Sequence, residues 1–361
     1  MRIAIDASRI TVPRRTGTEN YALQLIRALL ALPTRYHFDL YFRDQPGLDL
    51  LPKSGNYNTH VIPFPRLWTH LRFASELWRT RPPLTWVPAH TLPRFFPGKA
   101  VVTVHDLGYL HFPKAHPAKE RRYLDFTTRY SATRADRVLA DSEATKHDLI
   151  VHYQIPAEKI RIVYPGVDER LKPTFDPTVR AKYNLPERYL IFIGTLQPRK
   201  NIARLVQAFA RWQMESDHKE VALALGGKPG WLYDPVWVDD VANVCVLGYV
   251  DDADIAALYS GALGLVLPSL YEGFGFPVLE AMRCEIPVLC SNTSSLLELG
   301  GDAAILVDPL DVDSIAEGIR KLVEDDALRT DLIARGKIQQ AKFTWQSAAQ
   351  AVISVFEEIL A

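Results

Sequence analysis

The chain has 361 residues, of which 48% are hydrophobic and 23% charged, and its formal net charge is zero. This composition excludes a disordered protein, and the length favours two domains with separate cores. Three cysteines without C-x-x-C spacing exclude a disulfide framework or a zinc site. No apolar run approaches the roughly 18 residues of a membrane span. We therefore expect a cytoplasmic protein.

The net charge of zero conceals an uneven distribution. Residues 1–175 carry 26 Lys and Arg against 16 Asp and Glu, a net of +10, which the remaining residues balance with −10. Two explanations stay open: the two halves attract one another, or the basic half meets a phosphate-bearing acceptor or an anionic lipid surface. We expect no nucleic-acid partner.

Strand-like and helix-like stretches alternate along the first half, without internal repeats. This alternation predicts a parallel sheet with crossover helices at 19–31, 117–134 and 143–152. Strands are predicted at 2–6, 36–42, 59–62, 84–88, 100–104, 137–140 and 160–163.

A proline-containing passage at 164–186 interrupts this alternation and predicts a domain boundary. A second doubly wound α/β domain is predicted after it. Its strands are predicted at 189–193, 220–225, 244–247, 263–267 and 286–290, and later helices at 312–324, 326–341 and 346–360. The predicted domains are therefore 1–175 and 176–341, with a C-terminal helical segment at 342–361.

Ligands of parallel sheets bind at the carboxyl ends of the strands, which makes the loops there candidate sites. The first strand precedes a glycine turn, Arg14 to Asn20, in which Gly17 suits a phosphate or an acceptor; a plain capping turn explains it nearly as well. The strand at 100–104 ends at His105 and Asp106. We predict His105 as a site residue, and Asp106 either as a second one or as the group that orients His105.

The next strand, at 137–140, is followed by Asp141 and Ser142. A helix cap explains this pair adequately, since a helix is predicted directly after it.

A basic loop, Gly194 to Asn201, follows the first strand of the second half. Asn201 is predicted to cap the next helix. Arg199 and Lys200 stand directly before that helix, where cations oppose its positive end unless an anion lies between them. A bound anion is therefore the economical explanation, and a solvated basic turn is the alternative.

The stretch Ser269 to Met282 predicts a strand, a glycine loop and a helix. The loop residues Gly273, Phe274, Gly275 and Phe276 suit a phosphate, because the glycines permit close approach and the helix presents N–H groups. Glu280 lies about 6 Å into the helix, roughly the distance from a phosphate to a ribose. Glu272 is predicted on the loop, at the other end of the phosphate.

Gly248 and Tyr249 follow the strand at 244–247, where we expect them to border a nucleotide base. The two D-x-D sequences, at 252–254 and 311–313, precede apolar-periodic runs and are interpreted as helix caps. We therefore predict no metal site. The G-x-G-x-x-G sequence of dinucleotide-binding domains does not follow the first strand of either half, which argues against nicotinamide or flavin chemistry.

An aromatic, arginine-bearing stretch at 64–79 predicts a helix whose apolar residues fall largely on one face. A core-facing helix is the ordinary explanation. The alternative is a surface helix on anionic lipid, flanked by Arg66, Arg72 and Arg79.

The stretch Ser269 to Met282, with two glutamates separated by seven residues, closely resembles the donor-site motif of the retaining, GT-B-fold glycosyltransferases of family four (glycosyl transferases group 1, mannosyltransferase-like). The resemblance covers essentially the whole chain and is densest from Gly194 to Pro309. It implies two Rossmann-like domains facing across a cleft. It also implies a final helix that crosses back to the first domain, with Trp345 packed at the crossing.

The resemblance further implies retaining transfer of a hexose, of mannose or glucose type, from GDP-mannose or a UDP-hexose to a glycan or lipid-linked acceptor in polysaccharide or glycoconjugate synthesis. No cofactor besides this donor is expected. In such an enzyme Arg199 and Lys200 would grip the diphosphate, Glu272 and His105 would position the sugar hydroxyls, and Glu280 would hold the ribose. The alternatives are a non-catalytic nucleotide-sugar binder and a GT-B-fold epimerase or phosphorylase.

Overall fold

The computed structural model describes residues 1–12, 17–53, 56–115, 117–239 and 241–361. The chain divides into two compact units. Unit 1 comprises Met1–Leu110, Pro117–Gly166 and Phe343–Ala361, and unit 2 comprises His111–His116 and Val167–Lys342.

Unit 1 is built on a parallel sheet, which in the described residues has seven strands in the order β3-β2-β1-β4-β5-β6-β7. Its central strands are buried on both faces, which explains why they are continuous apolar runs. All seven predicted strands are confirmed. They are β1 (Arg2–Asp6), β2 (His37–Phe42), β3 (Tyr57–Val61), β4 (Leu84–Val87), β5 (Lys99–Val104), β6 (Arg137–Ala140) and β7 (Ile160–Ile162).

The strand order of unit 1 reverses between β1 and β4, as in doubly wound sheets, where ligands bind at the point of reversal. Large buried rings, including those of Phe38 and Trp86, fill its core. The helices are α1 (Gly17–Ala31), α2 (Ala74–Thr80), α3 (Gly108–His111), α4 (Ala118–Arg134) and α5 (Glu143–Tyr153).

Unit 2 contains a second parallel sheet, with six strands among its described residues in the order β10-β9-β8-β11-β12-β13. Here the order reverses between β8 and β11. Five strands match the prediction. The strands are β8 (Tyr189–Ile193), β9 (Ala222–Gly226), β10 (Val244–Gly248), β11 (Gly264–Leu267), β12 (Val288–Ser291) and β13 (Ile305–Val307).

The sixth strand, β13, was not predicted, because three residues are too few to produce a recognisable pattern. The helices of unit 2 are α6 (Pro177–Lys182), α7 (Ile202–Glu215), α8 (Ile255–Ser260), α9 (Phe276–Arg283), α10 (Ser294–Gly300), α11 (Val312–Glu324) and α12 (Asp326–Gln340). The predicted pair of doubly wound α/β domains is thus confirmed.

The C-terminal helix, α13 (Trp345–Leu360), belongs to unit 1. It packs on α1, and Glu358 accepts hydrogen bonds from Arg137 and Arg161 at the edge of the sheet. The Trp345 ring lies 6.0 Å from that of Tyr21. Gly166, at the end of the second segment of unit 1, lies against Trp345 in the C-terminal segment. A Cβ at Gly166 would meet the backbone nitrogen of Trp345 at 2.2 Å, so this position admits only glycine. The predicted return of the last helix to the first domain is confirmed.

Candidate functional site

The predicted glycine loop connects the buried strand β11 to helix α9. Gly275 ends the loop with φ 109°, and a Cβ there would meet the Leu296 side chain at 2.6 Å, so this position requires glycine. Pro277 stands in the first turn of α9, where it costs no hydrogen bond. Next to the loop end, the rings of Phe274 and Phe276 meet edge to face with centroids 5.0 Å apart. The start of such a helix suits an anion.

Arg199 and Lys200 lie on a 3₁₀ turn that follows β8, and both donate to the carboxylate of Glu272. Arg199 Nη1 is 3.1 Å from Glu272 Oε2 and 3.1 Å from the Tyr271 carbonyl oxygen, and Lys200 Nζ contacts Glu272 Oε1. Lys200 and Glu272 are both buried. A buried carboxylate thus bridges two cations at the base of the glycine loop.

The sequence analysis did not predict this contact. Glu272 lies on the glycine loop, as predicted, and its carboxylate pairs with both cations. The predicted bound anion at Arg199 and Lys200 stays a prediction. Burial alone would raise the pKa of Glu272, but the charges of Lys200 and Arg199 outweigh burial and hold that pKa below its usual range. Glu272 is therefore ionised at neutral pH.

The predicted capping role of Asn201 is wrong. Its φ of 63° is left-handed, whereas a capping side chain requires extended backbone, and it makes no capping hydrogen bond to α7. Instead, Asn201 Nδ2 donates to the carbonyl oxygens of Pro268, at 2.9 Å, and Pro309, at 2.6 Å. Asn201 thereby ties the loops after β8, β11 and β13 together.

Two serines that the sequence analysis missed hold the backbone of the glycine loop. Ser294 Oγ accepts from the Glu272 backbone nitrogen at 3.1 Å, and Ser295 Oγ donates to the carbonyl oxygens of Glu272, at 2.9 Å, and Phe274, at 2.5 Å. Ser294 itself has a left-handed φ of 52°. Their position after the carboxyl end of β12 was the available signal.

Glu280 lies on α9 and is half-buried. Its Oε2 accepts from the buried Tyr259 hydroxyl at 3.1 Å. Burial raises the pKa of Glu280 to about 7, with smaller contributions from Asp168 and Asp252. The carboxyl group therefore changes charge near neutral pH, and its predicted contact with a ribose stays a prediction.

Gly248 ends β10 with φ 68°, and a Cβ added there would meet no atom beyond its chain neighbours within 4 Å. Tyr249 is half-exposed, and the Lys228 ammonium lies 4.5 Å from its ring centroid. The Leu196 backbone nitrogen donates to the Lys228 carbonyl oxygen at 2.9 Å, which links Lys228 and the neighbouring Tyr249 to the basic loop. The predicted base contact stays a prediction.

In unit 1, His105 is buried at the carboxyl end of β5 and both ring nitrogens face protein acceptors. Nδ1 is 2.7 Å from Asp141 Oδ2, and Nε2 is 3.3 Å from the Pro88 carbonyl oxygen. Burial lowers the pKa of His105, but the charge and hydrogen bond of Asp141 outweigh it and the net pKa is raised. Two acceptors and one partner charge therefore favour the imidazolium.

Asp141, not Asp106, orients His105. Asp106 Oδ1 instead accepts from the Gly108 backbone nitrogen at 2.8 Å. Of the pair interpreted as a cap, only Ser142 caps α5, by accepting from the Thr145 backbone nitrogen. Asp141 was missed because its partner lies 36 residues away in the chain.

His90 is a further group that the sequence analysis missed. Its Nε2 lies 3.2 Å from the His105 backbone nitrogen, which donates to it, and the two rings are 5.3 Å apart. Burial and then the charge of His105 lower the pKa of His90 to about 3, so it is neutral. Because Nε2 accepts, the ring proton must be on Nδ1.

Gly17 is the first residue of α1 and is exposed. The rest of the predicted turn before it, from Arg14 to Thr16, lies outside the described residues.

One D-x-D prediction is correct and one is wrong. Asp311 caps α11 by accepting from the Asp313 backbone nitrogen at 2.8 Å. Asp254 stands at the start of α8 but does not cap it. Its carboxylate instead accepts from Lys182 Nζ at 2.5 Å and the Tyr183 hydroxyl at 2.8 Å.

The helix predicted at 64–79 starts with a π-helical turn, Thr69–Phe73, before α2. The prediction of a single apolar face is wrong: Phe73, Ala74 and Leu77 are buried, whereas other apolar residues face solvent. The wider π turn shifts the residues before it relative to α2, which accounts for the exposure of Leu67, whereas Trp78 is exposed within α2 itself. The exposed residues are Leu67, Leu71 and Trp78.

Two family models match the chain. "Glycosyl transferases group 1" matches residues 176–339, and "Glycosyltransferase Family 4" matches residues 15–171. The chain is also similar to the O-antigen chain mannosyltransferase B of Escherichia coli, with 36% identity over 72% of this chain and 70% of that protein. Another relative, the serotype-specific mannosyltransferase WbdA of E. coli, is 29% identical over 73% of this chain but only 34% of its own length.

Solved structures share the fold. The sucrose-phosphate synthase of Thermosynechococcus elongatus superposes with a TM-score of 0.76 over 99% of both chains at 22% identity. Anabaena HepE, solved in complex with UDP and glucose, superposes with a TM-score of 0.72 over 99% of both chains at 17% identity.

Proposed function

The chain belongs to the group 1, family 4 glycosyl transferases, and from this premise we propose that it transfers a hexose from a nucleoside diphosphate sugar to a glycan or lipid-linked acceptor with retention of configuration. The single observation that carries the proposal is the pair of cations, Arg199 and Lys200, beside the glycine loop. A sugar transferase must stabilise the charge that develops on a departing diphosphate, and fixed cations together with a helix N-terminus do so.

The residues act in the following way. Arg199 and Lys200 bind the diphosphate and hold it as the bond to the anomeric carbon breaks. The leaving phosphate removes the acceptor proton on the same face, which gives retention. Glu272 positions the sugar, Glu280 accepts from the ribose, and Gly248 and Tyr249 border the base.

The role of His105 changes with the geometry. Both ring nitrogens and its backbone N–H have protein partners, so we propose that His105 shapes the edge of the unit 1 sheet and does not itself bind a sugar hydroxyl. It is then a positioning residue.

Mannose is the proposed sugar, because the relative with 36% identity is named as a mannosyltransferase. GDP-mannose is accordingly the first donor to test. A UDP-hexose is the second, supported by the UDP and glucose bound to HepE. The O-antigen relative supports a growing polysaccharide as the acceptor.

We propose turnover without a metal ion. Two cations lie beside the glycine loop, and the carboxylates at 254 and 311 are engaged with Lys182 and with the start of α11.

A further proposal is peripheral contact with the anionic inner face of the plasma membrane from a cytoplasmic location. The exposed Leu71 and Trp78, in a domain with a net charge of +10, support it. Every helix in the described part of the chain is too short or too polar to cross a bilayer.

The test is nucleotide release. Purified protein is incubated with GDP-mannose, UDP-glucose or UDP-galactose, with and without an oligomannose acceptor, and free GDP or UDP and the sugar products are measured. Acceptor-dependent GDP release with a longer glycan is the expected result. Donor binding without release would indicate a sugar-nucleotide binder, and an altered sugar without acceptor would indicate an epimerase.

A further inference from the structure

The contacts of Glu272 suggest a role beyond positioning the sugar. Its two carboxylate oxygens take one cation each, Oε1 facing Lys200 and Oε2 facing Arg199. A phosphate bound at the start of α9 needs the same two cations. Glu272 and a phosphate therefore present the same kind of oxygen to the same two side chains. The negative charge of Glu272 beside both cations opposes the binding of a second anion there.

We propose, on the basis of the proposed function, that Glu272 competes with the diphosphate for Arg199 and Lys200. The diphosphate must displace the Glu272 carboxylate in order to bind, and the carboxylate helps to expel the nucleoside diphosphate when the product is released. Without a ligand, Glu272 neutralises a buried ammonium that would otherwise be costly to bury. After transfer, the same carboxylate recaptures Arg199 and Lys200 and weakens the hold on the nucleoside diphosphate.

The loop is built so that only the side chain of Glu272 has to move. Its backbone nitrogen is held by Ser294 and its carbonyl oxygen by Ser295, which also holds the Phe274 carbonyl. The Arg199 carbonyl accepts from the Leu270 backbone nitrogen at 2.8 Å, so the cation-bearing turn is joined to the same loop. Exchange then needs a rotamer change of Glu272 and no rearrangement of the loop backbone.

The competition has an observable sign. Removal of a residue that only helps to bind the donor lowers the phosphate affinity, whereas removal of an internal competitor raises that affinity. Pyrophosphate is the suitable probe, since it carries neither sugar nor ribose and therefore reports on the two cations and the start of α9. Titration calorimetry with pyrophosphate and with GDP is performed on the wild type, Glu272→Gln and Glu280→Gln. The Glu280→Gln variant serves as the control, because it removes a carboxylate on α9 that accepts a hydrogen bond from the Tyr259 hydroxyl.

We expect Glu272→Gln to bind pyrophosphate and GDP about tenfold more tightly or better, with slower GDP dissociation in stopped flow, while Glu280→Gln leaves pyrophosphate affinity near that of the wild type. If the glutamine variant does not fold, Glu272→Asp carries the test, because its shorter side chain holds the cations less well and should bind pyrophosphate several-fold more tightly.

Equal or weaker pyrophosphate binding by a folded Glu272 variant overturns the inference. If the wild type nevertheless binds GDP and releases it from GDP-mannose, the proposed function stands and only the competitor role fails. If neither the wild type nor any variant binds pyrophosphate or a nucleoside diphosphate, both fail.

Discussion

Arg199 and Lys200 are the side chains on which leaving-group stabilisation depends in the proposed reaction. We expect Arg199→Ala and Lys200→Ala each to lower kcat by about 100-fold or more, and to affect kcat more than KM, because the contacts strengthen as the diphosphate gains charge. Steady-state kinetics with the active donor measure this. Arg211→Ala is the matched control, because that guanidinium is exposed on α7 and pairs with Asp313. Near-normal kcat in both site variants would contradict the assignment.

Glu280 gives the donor affinity a pH dependence. Its pKa of about 7 means that the carboxylate, the form that accepts from ribose hydroxyls, becomes populated as pH rises through neutrality. We therefore expect GDP to bind more tightly at pH 8 than at pH 6, and Glu280→Gln to bind it more weakly with a flatter profile. Calorimetry at four pH values measures both, and an unchanged slope in the variant would exclude this residue.

The pair His105 and Asp141 gives the stability of unit 1 a pH dependence. The native pKa of His105 is raised, so its contribution to stability is fully present below the unfolded pKa and is lost as pH rises through the native value. Asp141→Asn removes the partner and should lower the melting temperature. We expect that loss to be larger at pH 6 than at pH 9. A loss that is constant with pH would show that Asp141 acts through packing alone.

The segment formed by the π turn and α2 divides its apolar residues between the core and the surface. Arg72 and Arg79 both pair with the buried Glu76, which reduces the charge that they offer to a membrane. Leu71 and Trp78 are therefore the better probes, being 52% and 51% exposed.

We expect the protein to sediment with vesicles containing anionic phospholipid but not with neutral vesicles, and to do so less at high salt. The double variant Leu71→Ser, Trp78→Ser should lose most of the bound fraction. Met214→Ser, at an exposed methionine on α7, is the control. Absence of binding to anionic vesicles at low salt would contradict the membrane proposal and would indicate an acceptor that is soluble in water.

Elements with strong local patterns were predictable from the sequence. The strand β5 is a largely apolar run of strand length, and its position followed from that alone. The short β13 and the π turn before α2 have no comparable signature. Tertiary packing decides both.

The candidate site was predictable in place but not in its internal contacts. The rule that ligands lie at strand ends predicted Arg199, Lys200 and Glu272, which the structure brings together in unit 2. The same rule predicted His105, which lies in unit 1. It did not reveal that Glu272 contacts Lys200, 72 residues earlier, or that Asp141 holds His105, because such pairings leave no periodic pattern.

At the scale of the whole molecule, the charges proposed for the reaction come from the protein chain. Two cations and a helix start balance a diphosphate, so we expect activity to survive excess EDTA. Acceptor-dependent nucleotide release is measured after chelation and again after addition of Mg²⁺ or Mn²⁺. Loss of nucleotide release after chelation, with recovery after addition of Mg²⁺ or Mn²⁺, would contradict the proposal. The carboxylates at 252–254 would then be the first candidate metal ligands.

The contact between Gly166 and Trp345 bears on how the protein is made. A ribosome that has finished the sheet of unit 1 must translate Val167 to Lys342 before α13 emerges, which takes roughly 9 to 35 s at about 5–20 residues per second. During that interval the face of α1 that α13 covers remains open to water. The nascent chain therefore carries an unfinished first unit while unit 2 is being completed, and the period of greatest exposure to aggregation lies late in its synthesis.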